Sequence, residues 1–260
     1  MPLTGKIAVV TGSSKGIGFA IAKEFAENND AIVIVCSRNL KQAQIAADKI
    51  KGNVFADELD VTDDMSVNKF INRILYDHNR IDILVNNSGY QFDRNIWYKK
   101  FHEGTIEELQ RIIEVDLKGS VRLSRAVIPI MLQNANTDCK KENKGGVIVN
   151  ISSTPAIAGY TEGSPYNITK AANIALTKCI AKEYATNNIR AYTLALGSIA
   201  TLGTIESMTQ EERYSAAQES SMKRWGKPEE VAKVAACIAD NSFSFATGNT
   251  IVIDGGTILL

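Results

Sequence analysis

The sequence predicts an α/β fold in which one parallel sheet is covered by helices on both faces. Short runs of continuously apolar residues alternate with segments whose apolar residues recur at helical spacing. Strands buried on both faces are apolar throughout, whereas half-exposed strands alternate apolar and polar residues. The repeated strand–helix unit therefore indicates a doubly wound sheet. Because no Pro-, Gly- or Ser-rich linker interrupts it, we predict a single domain over residues 1–260.

The elements follow in order along the chain. Predicted strands occupy residues 7–10, 31–36, part of 53–60, 81–85, 147–151, 189–195 and 251–253. Predicted helices occupy residues 18–28, 41–50, 62–76, 105 to about 131, 166–187 and 228 to about 239. Segments 105–108 and 209–212 are capping boxes that open helices, and Pro228 suits a first helical turn. Two segments, 89–104 and the polar 134–144, are predicted to be surface loops.

Composition excludes several classes of function. The chain has 29 basic and 29 acidic residues, so it lacks the basic excess of a nucleic-acid or anionic-membrane binder. No apolar run approaches the roughly 20 residues that span a bilayer. Four widely separated cysteines and two histidines do not form a zinc-binding pattern. The few cysteines and the lack of a signal-peptide pattern predict a cytoplasmic protein.

A glycine-rich turn follows the first predicted strand. It contains Gly12, Ser14, Lys15, Gly16, Ile17 and Gly18. Glycines at a strand-to-helix turn let the backbone approach a pyrophosphate, which then faces the N–H groups of the helix N-terminus. The spacing is Gly-x-x-x-Gly-x-Gly, so an ordinary glycine-rich turn is the alternative. Its place at the first strand of an α/β repeat favours dinucleotide binding.

The end of the second strand indicates which dinucleotide binds. An NAD site places an acidic residue there for the ribose 2′-hydroxyl. Here the residues are Ser37 and Arg38, which suit a 2′-phosphate, and Lys15 adds a second positive charge. The alternative is that Arg38 is a solvated surface charge. The missing acid favours NADP(H) over NAD(H).

Tyr166 and Lys170 stand four residues apart on one face of a predicted helix, and Ser153 follows a buried strand. Tyrosine titrates near pKa ~10, and a neighbouring ammonium favours the phenolate, which makes the pair suitable for acid–base catalysis. Tyr-x-x-x-Lys alone is weak evidence, because on most helices it lies on a solvated face.

Together these motifs resemble the short-chain dehydrogenase/reductase family over essentially the whole chain. Further matching segments are 60–61, 86–89 and 197–201, and the segments 224–231, 247–248 and 254–256 resemble the 3-oxoacyl-carrier-protein reductase branch. The resemblance implies a Rossmann-type fold and an oxidoreductase. It also implies that Tyr166 protonates the substrate carbonyl as hydride arrives from the nicotinamide, that Ser153 holds the carbonyl oxygen, and that Lys170 acts on Tyr166 and the nicotinamide ribose.

The resemblance also implies cofactor contacts and an assembly. The additional cofactor-binding residues are Asp60, Val61, Asn87, Gly89, Ile199 and Thr201, beside Tyr166 and Lys170. No metal is implied. Family members of this length are typically homotetramers, so we expect a homotetramer.

One departure from the family pattern concerns the long helix after the fourth strand. Asp116 occupies the place where the family usually has an asparagine that positions a water in a proton relay. Its negative charge near Lys170 weakens the effect of the lysine on Tyr166, so we predict a more alkaline pH–rate profile than an amide would give. The alternative is that Asp116 is an ordinary polar helix residue.

The sequence says least about the substrate. We expect residues 202–222 to form a lid, faced by the aromatic stretch 91–101, although Trp97, Tyr98 and Phe101 could instead anchor the loop or an oligomer contact. The first hypothesis is 3-oxoacyl thioester reduction, as in fatty acid biosynthesis, with an acyl carrier protein as candidate partner. The second is oxidation or reduction of a small ketone, sugar or secondary alcohol. A non-catalytic NADPH-binding regulatory subunit is disfavoured, because Ser153, Tyr166 and Lys170 are all present.

Overall fold

Seven strands form one parallel sheet in the computed structural model, which describes residues 2–136 and 145–259. The strands are β1 (Ile7–Val10), β2 (Ile32–Ser37), β3 (Val54–Glu58), β4 (Ile83–Asn86), β5 (Gly146–Ser153), β6 (Ile189–Leu196) and β7 (Thr250–Ile253). Their order across the sheet is β3-β2-β1-β4-β5-β6-β7. The order reverses between β1 and β4, and ligands bind such sheets in the crevice beyond the strand ends at this point. The predicted doubly wound fold is confirmed.

Helices connect the strands on both faces of the sheet. They are α1 (Gly16–Lys23), α2 (Leu40–Ala47), α3 (Asp64–His78), α4 (Arg94–Trp97), α5 (Ile106–Ile112), α6 (Gly119–Asn136), α7 (Pro155–Ala158), α8 (Ser164–Tyr184), α9 (Leu202–Glu206), α10 (Gln210–Glu219) and α11 (Pro228–Ala239). A π-helical segment, Glu24–Asn28, extends α1, and a second, Ile113–Lys118, joins α5 to α6. Short 3₁₀ turns lie at Phe101–Glu103, Ala185–Asn187 and Asn241–Phe243.

The two segments predicted to be loops differ from that expectation. Segment 89–104 contains α4 and a 3₁₀ turn, because the Asp93 carboxylate accepts from the Asn95 N–H and opens α4. A four-residue helix is too short to show apolar periodicity in a sequence. Segment 134–144 is helical at its start, since α6 runs to Asn136. The Asn134 side chain donates to the Ile81 carbonyl at 2.9 Å, which holds this end of α6 against the start of β4. Residues 137–144 lie outside the described residues.

Each face of the sheet buries its own apolar cluster. In β1, Ala8 and Val10 join the cluster beneath α1, α2 and α11, whereas Ile7 and Val9 join the cluster beneath α3, α6 and α8. Because successive side chains of a strand point to opposite faces, a strand covered on both sides must be apolar at every position. In the part of the chain that is described, no helix is both long and apolar enough to cross a membrane.

A line of polar side chains crosses the second cluster. Asn86, Asn150 and Thr193 stand in register on β4, β5 and β6. The Asn86 amide donates to Asn150 Oδ1 at 2.8 Å and to Ser124 Oγ at 3.1 Å. Thr177 Oγ1 on α8 accepts from Asn150 Nδ2 at 2.8 Å and from the Thr193 hydroxyl at 2.7 Å. All five side chains are buried, and these hydrogen bonds tie three strands to the helices that cover them.

Candidate active site

The glycine-rich turn joins β1 to α1 with little room for side chains. Gly12 and Gly16 have φ of +63° and +61°, the left-handed region that glycine adopts without strain. A Cβ on Gly18 would lie 2.4 Å from Asn87 Nδ2 and 2.8 Å from the Gly12 carbonyl oxygen. Lys15, which precedes α1, makes no side-chain cap, so its side chain leaves the N–H groups of the first turn unoccupied. The turn therefore fits a pyrophosphate, as the sequence predicts.

Asn87 and Thr11 hold this turn in place. Asn87 Nδ2 donates to the Thr11 carbonyl at 2.8 Å, and Thr11 Oγ1 accepts from the N–H groups of Asn87 and Ser88 at 3.0 and 2.9 Å. The predicted role of Asn87 was contact with the adenosine side of the cofactor. In this structure its amide nitrogen supports the turn itself.

The other predicted cofactor residues lie beyond the same ends of the strands. Arg38 is exposed after β2, while the Ser37 hydroxyl donates to the Asn39 carbonyl at 2.7 Å. The Asp60 carboxylate after β3 accepts from the backbone and hydroxyl of Thr62 at 2.9 and 2.7 Å. The remaining predicted positions are Ser14 in the turn, Val61 buried against Gly119, Gly89 beside the Asp116 carboxylate, Ile199 in the cavity wall, and Thr201 near Gly16.

The predicted catalytic side chains meet in one cavity of about 590 Å³. Ser153 ends β5, and its hydroxyl donates to the Leu196 carbonyl at 3.3 Å. Helix α8 supplies Tyr166 and Lys170, with the ammonium nitrogen 5.5 Å from the centre of the phenol ring. Asp116 lines the same cavity. The end of β5 and helix α8 thus place the Ser153 hydroxyl, the Tyr166 phenol and the Lys170 ammonium in the same cavity.

Asp116 forms a buried ion pair with Lys170. Oδ2 lies 2.9 Å from Nζ, and the two side chains are 1% and 6% exposed. Nζ also donates to the Ile151 carbonyl at 3.2 Å. Burial lowers the pKa of Lys170, but the Asp116 carboxylate and Tyr166 raise it, and the pKa lies above its ordinary value. The lysine is therefore held in its charged form.

Asp116 is fixed by contacts from three directions. Its Oδ1 accepts from the Tyr90 N–H at 2.5 Å. Its carbonyl oxygen accepts from Asn173 Nδ2 at 3.0 Å and from the Ser120 hydroxyl at 2.8 Å. The residue lies in the π-helical segment between α5 and α6, and such segments frequently occur at functional sites. The expectation that Asp116 lies near Lys170 agrees with this geometry.

Aromatic side chains form part of the cavity wall, next to Tyr166. The ring of Trp97 lies 5.4 Å from that of Tyr166, 6.4 Å from that of Tyr160 and 5.6 Å from that of Phe92, between ring centres. The Trp97 carbonyl accepts from the Gly163 N–H at 2.8 Å, just before α8 begins. The segment 91–101 therefore faces the candidate catalytic residues, as the sequence suggests for a substrate wall.

A charged contact joins this wall to α10. The Arg94 guanidinium donates to both carboxylate oxygens of Glu212, at 2.8 and 3.1 Å, and to the Ser207 carbonyl at 3.1 Å. The Tyr98 hydroxyl donates to the same carboxylate at 3.2 Å. Arg94 and the Thr209 N–H lower the pKa of Glu212 to about 2. We call this contact the Arg94–Glu212 latch.

Sequence reasoning missed several residues of the site. The latch joins positions 118 residues apart, so no local pattern indicates it. Glu212 is visible in the sequence only as part of a capping box. Tyr160 and Trp225 also line the cavity without having been predicted. The high aromatic content of 91–101 was the one available signal.

Comparison with known proteins gives consistent matches over the full chain. The family model described as enoyl-(acyl carrier protein) reductase matches residues 12–257. The 3-oxoacyl-acyl-carrier-protein reductase of Thermotoga maritima is 34% identical over all of both chains. Glucose 1-dehydrogenase 2 of Bacillus subtilis is 33% identical over 99% of this chain and 96% of its own length. Dehydrogenase/reductase SDR family member 4 of Homo sapiens is 31% identical over 98% of this chain and 88% of its own length.

A solved structure shows the same similarity in three dimensions. The crystal structure of a candidate gluconate dehydrogenase from Agrobacterium tumefaciens superposes with a TM-score of 0.89 and 26% sequence identity. The match covers 99% of this chain and 98% of that one.

Proposed function

Because the chain belongs to the short-chain dehydrogenase/reductase family, we propose that it is an NADPH-dependent oxidoreductase that interconverts a ketone and a secondary alcohol. One observation carries this proposal: Ser153, Tyr166 and Lys170 face one cavity beside a glycine turn that fits a pyrophosphate. When bound, the nicotinamide supplies or takes the hydride. The protein has to orient the carbonyl and transfer one proton.

Each of the three residues has a defined task in this proposal. The Ser153 hydroxyl exchanges its long hydrogen bond to the Leu196 carbonyl for one to the substrate oxygen, which positions that oxygen. In reduction, the Tyr166 hydroxyl donates its proton to the substrate oxygen as that oxygen becomes an alkoxide, and in oxidation the Tyr166 phenolate accepts the proton of the alcohol. The Lys170 ammonium, 5.5 Å from the phenol ring, stabilises the phenolate that remains.

The preference for NADPH rests on the end of β2. Arg38 is exposed there, and it makes no ion pair with any described residue. A guanidinium pairs well with a phosphate, and Lys15 contributes a further positive charge from the glycine turn. No acidic side chain directly follows β2 to accept from a ribose 2′-hydroxyl.

Two substrate classes have separate support. The similarity to a 3-oxoacyl-acyl-carrier-protein reductase supports a 3-oxoacyl thioester, with acyl carrier protein as a partner. The polar and aromatic lining of the cavity, together with the similarity to a glucose dehydrogenase, supports a small polar ketone or a sugar. We propose a homotetrameric cytoplasmic enzyme in either case, as in the family.

The test is NADPH oxidation with an acetoacetyl thioester and a panel of small ketones and sugars, in the wild type and in Tyr166→Phe. We expect turnover with at least one substrate, and a loss of at least about a thousandfold in kcat for the variant with unchanged NADPH affinity. Tight NADPH binding without turnover on any substrate would instead support a regulatory NADPH-binding protein.

A further inference from the structure

The lining of the active-site cavity is acidic. Five carboxylate side chains line the cavity: Asp93, Asp116, Glu162, Glu212 and Glu219. Lys170 is the one lysine or arginine among the described residues that line it. The position of the substrate is given independently, by Ser153 and Tyr166. The charges of the carboxylates therefore affect which substrates bind in the cavity.

Two of these five charges are neutralised and three are not. Asp116 pairs with Lys170, and Glu212 pairs with Arg94. Glu219 accepts from the neutral Tyr160 hydroxyl at 3.1 Å, and one oxygen of Asp93 caps α4. Over residues 2–136 and 145–259, no cation lies within ion-pair distance of Glu162, Glu219 or Asp93.

Two tyrosines that line the cavity, Tyr98 and Tyr160, have raised pKa values, to which burial and these carboxylates both contribute. Burial, followed by the charges of Glu219 and Glu162, raises the pKa of Tyr160 to about 12. Burial and the Glu212 carboxylate raise the pKa of Tyr98, and Glu162 adds to this shift. Glu162 therefore acts on the phenols of both Tyr98 and Tyr160, and all three side chains line the cavity.

Aromatic rings line the cavity together with these carboxylates. Trp97 packs between Tyr160 and Tyr166, and Phe92 packs against Trp97. A ring face attracts a cation within about 6 Å of its centre, and more strongly where water is excluded. Carboxylates and ring faces together favour a positive charge and disfavour a negative one.

We propose that the acidic lining of this cavity selects substrates by charge, and that the cavity takes ketones or secondary alcohols whose end remote from the reacting carbon is cationic. Glu162 and Glu219 are the specificity-determining residues, and the aromatic wall adds to their effect. Substrates that carry a carboxylate or phosphate at that end are disfavoured. This inference rests on the proposed oxidoreductase function and names its substrate class.

Three matched substrates test the proposal. They are methyl ketones of equal chain length that end in trimethylammonium, in its neutral isostere tert-butyl, or in carboxylate. The quaternary cation neither titrates nor forms an imine. A carboxylate several ångströms away across partly solvated protein changes binding of a unit charge by about threefold to fivefold. We therefore expect kcat/KM to fall in the order cation, neutral, anion, with at least about tenfold between the extremes.

Paired variants assign this selectivity to residues. In Glu162→Gln with Glu219→Gln, we expect the cation-to-anion ratio to fall at least about threefold, because each glutamine keeps an acceptor oxygen but loses the charge. Glu183→Gln with Glu229→Gln, two exposed positions on α8 and α11 outside the cavity lining, also removes two carboxylate charges and should leave the ratio unaltered. Raising the ionic strength should reduce the ratio in the wild type.

The outcomes separate this inference from the proposed function. Equal rates for the three ketones, a preference for the carboxylate or the neutral isostere, or an unchanged ratio in the double variant would each overturn the inference. Reduction of any of them still supports the oxidoreductase. If none is reduced, their affinities for the enzyme–NADPH complex are measured by NADPH fluorescence. Equal affinities overturn the charge selection, and failure to bind NADPH counts against the proposed function.

Discussion

Replacing Asp116 with asparagine should shift the pH dependence of catalysis to lower pH. The carboxylate lies 2.9 Å from the Lys170 ammonium and so offsets its positive charge. In the variant, that ammonium acts uncompensated on the Tyr166 phenolate. The Ile151 carbonyl still accepts from Nζ at 3.2 Å, so we expect the lysine to stay protonated at neutral pH.

The size of the shift follows from the geometry. Nζ lies 5.5 Å from the centre of the Tyr166 ring, so Oδ2 of Asp116 lies at most about 8.4 Å from that centre, the sum of the two distances. At an effective dielectric constant of about 20, a negative charge at that distance repels a phenolate by ~2 kcal/mol. One pKa unit corresponds to ~1.4 kcal/mol. Allowing for relaxation, we expect a shift of about one unit.

The assay is kcat/KM for alcohol oxidation against pH, because this direction requires the phenolate as base. We expect the apparent pKa of the rising limb to fall by about one unit in Asp116→Asn. Asp116→Glu keeps the charge and serves as the control, with Tm as the check on folding. Superimposable profiles would refute the reasoning, as would a shift to higher pH, which would mean that Lys170 had lost its proton.

Three further substitutions, one of them with a control variant, test other parts of the structure. Arg38→Ser should raise KM for NADPH at least about tenfold and leave KM for NADH nearly unchanged, and equal effects would contradict a 2′-phosphate contact. Gly163→Ala places a Cβ 2.7 Å from the Trp97 ring at φ +66°, so we expect a loss of about 2–3 kcal/mol and a Tm lower by about 5 °C. Gly5→Ala, at φ +70° in open space, should cost only about 1 kcal/mol, and similar losses in both would exclude the steric explanation. Arg94→Gln should raise KM for the ketone several-fold with little change in kcat. The effect should be equal at pH 5 and pH 8, because the pKa of Glu212, about 2, lies below both values. An effect confined to pH 5 would contradict the latch.

Local patterns were sufficient to predict the framework of the fold. Strand β1 was predicted with its observed bounds, and so was α11, because a continuous apolar run and a proline at a helix start are visible in a few neighbouring residues. The glycines of the β1–α1 turn were also predictable, since positive φ and close packing both select glycine.

Contacts between distant segments were not predictable in this way. The Arg94–Glu212 latch depends on where two loops meet after the sheet has formed. Asn150 lies within a strand predicted as continuously apolar, and only its partner Thr177 explains why an amide is stable there. Helices α4, α7 and α9 are each one turn or slightly longer, and their sequences contain no period.

The polar line through β4, β5 and β6 also bears on how the sheet finds its strand alignment. Because side chains alternate between faces, a slip of one residue in β5 would turn Asn150 into the opposite, largely aliphatic cluster. The Asn150 amide would then have no hydrogen-bond partner, and the Asn86 amide would lose one of its two partners. Each buried polar group left unpaired costs about 1–3 kcal/mol. Aliphatic neighbours alone discriminate weakly between alignments, whereas hydrogen bonds require particular partners. The buried amides therefore favour the native register of the central strands over a slipped one, and they do so in the strand that ends at the candidate catalytic serine.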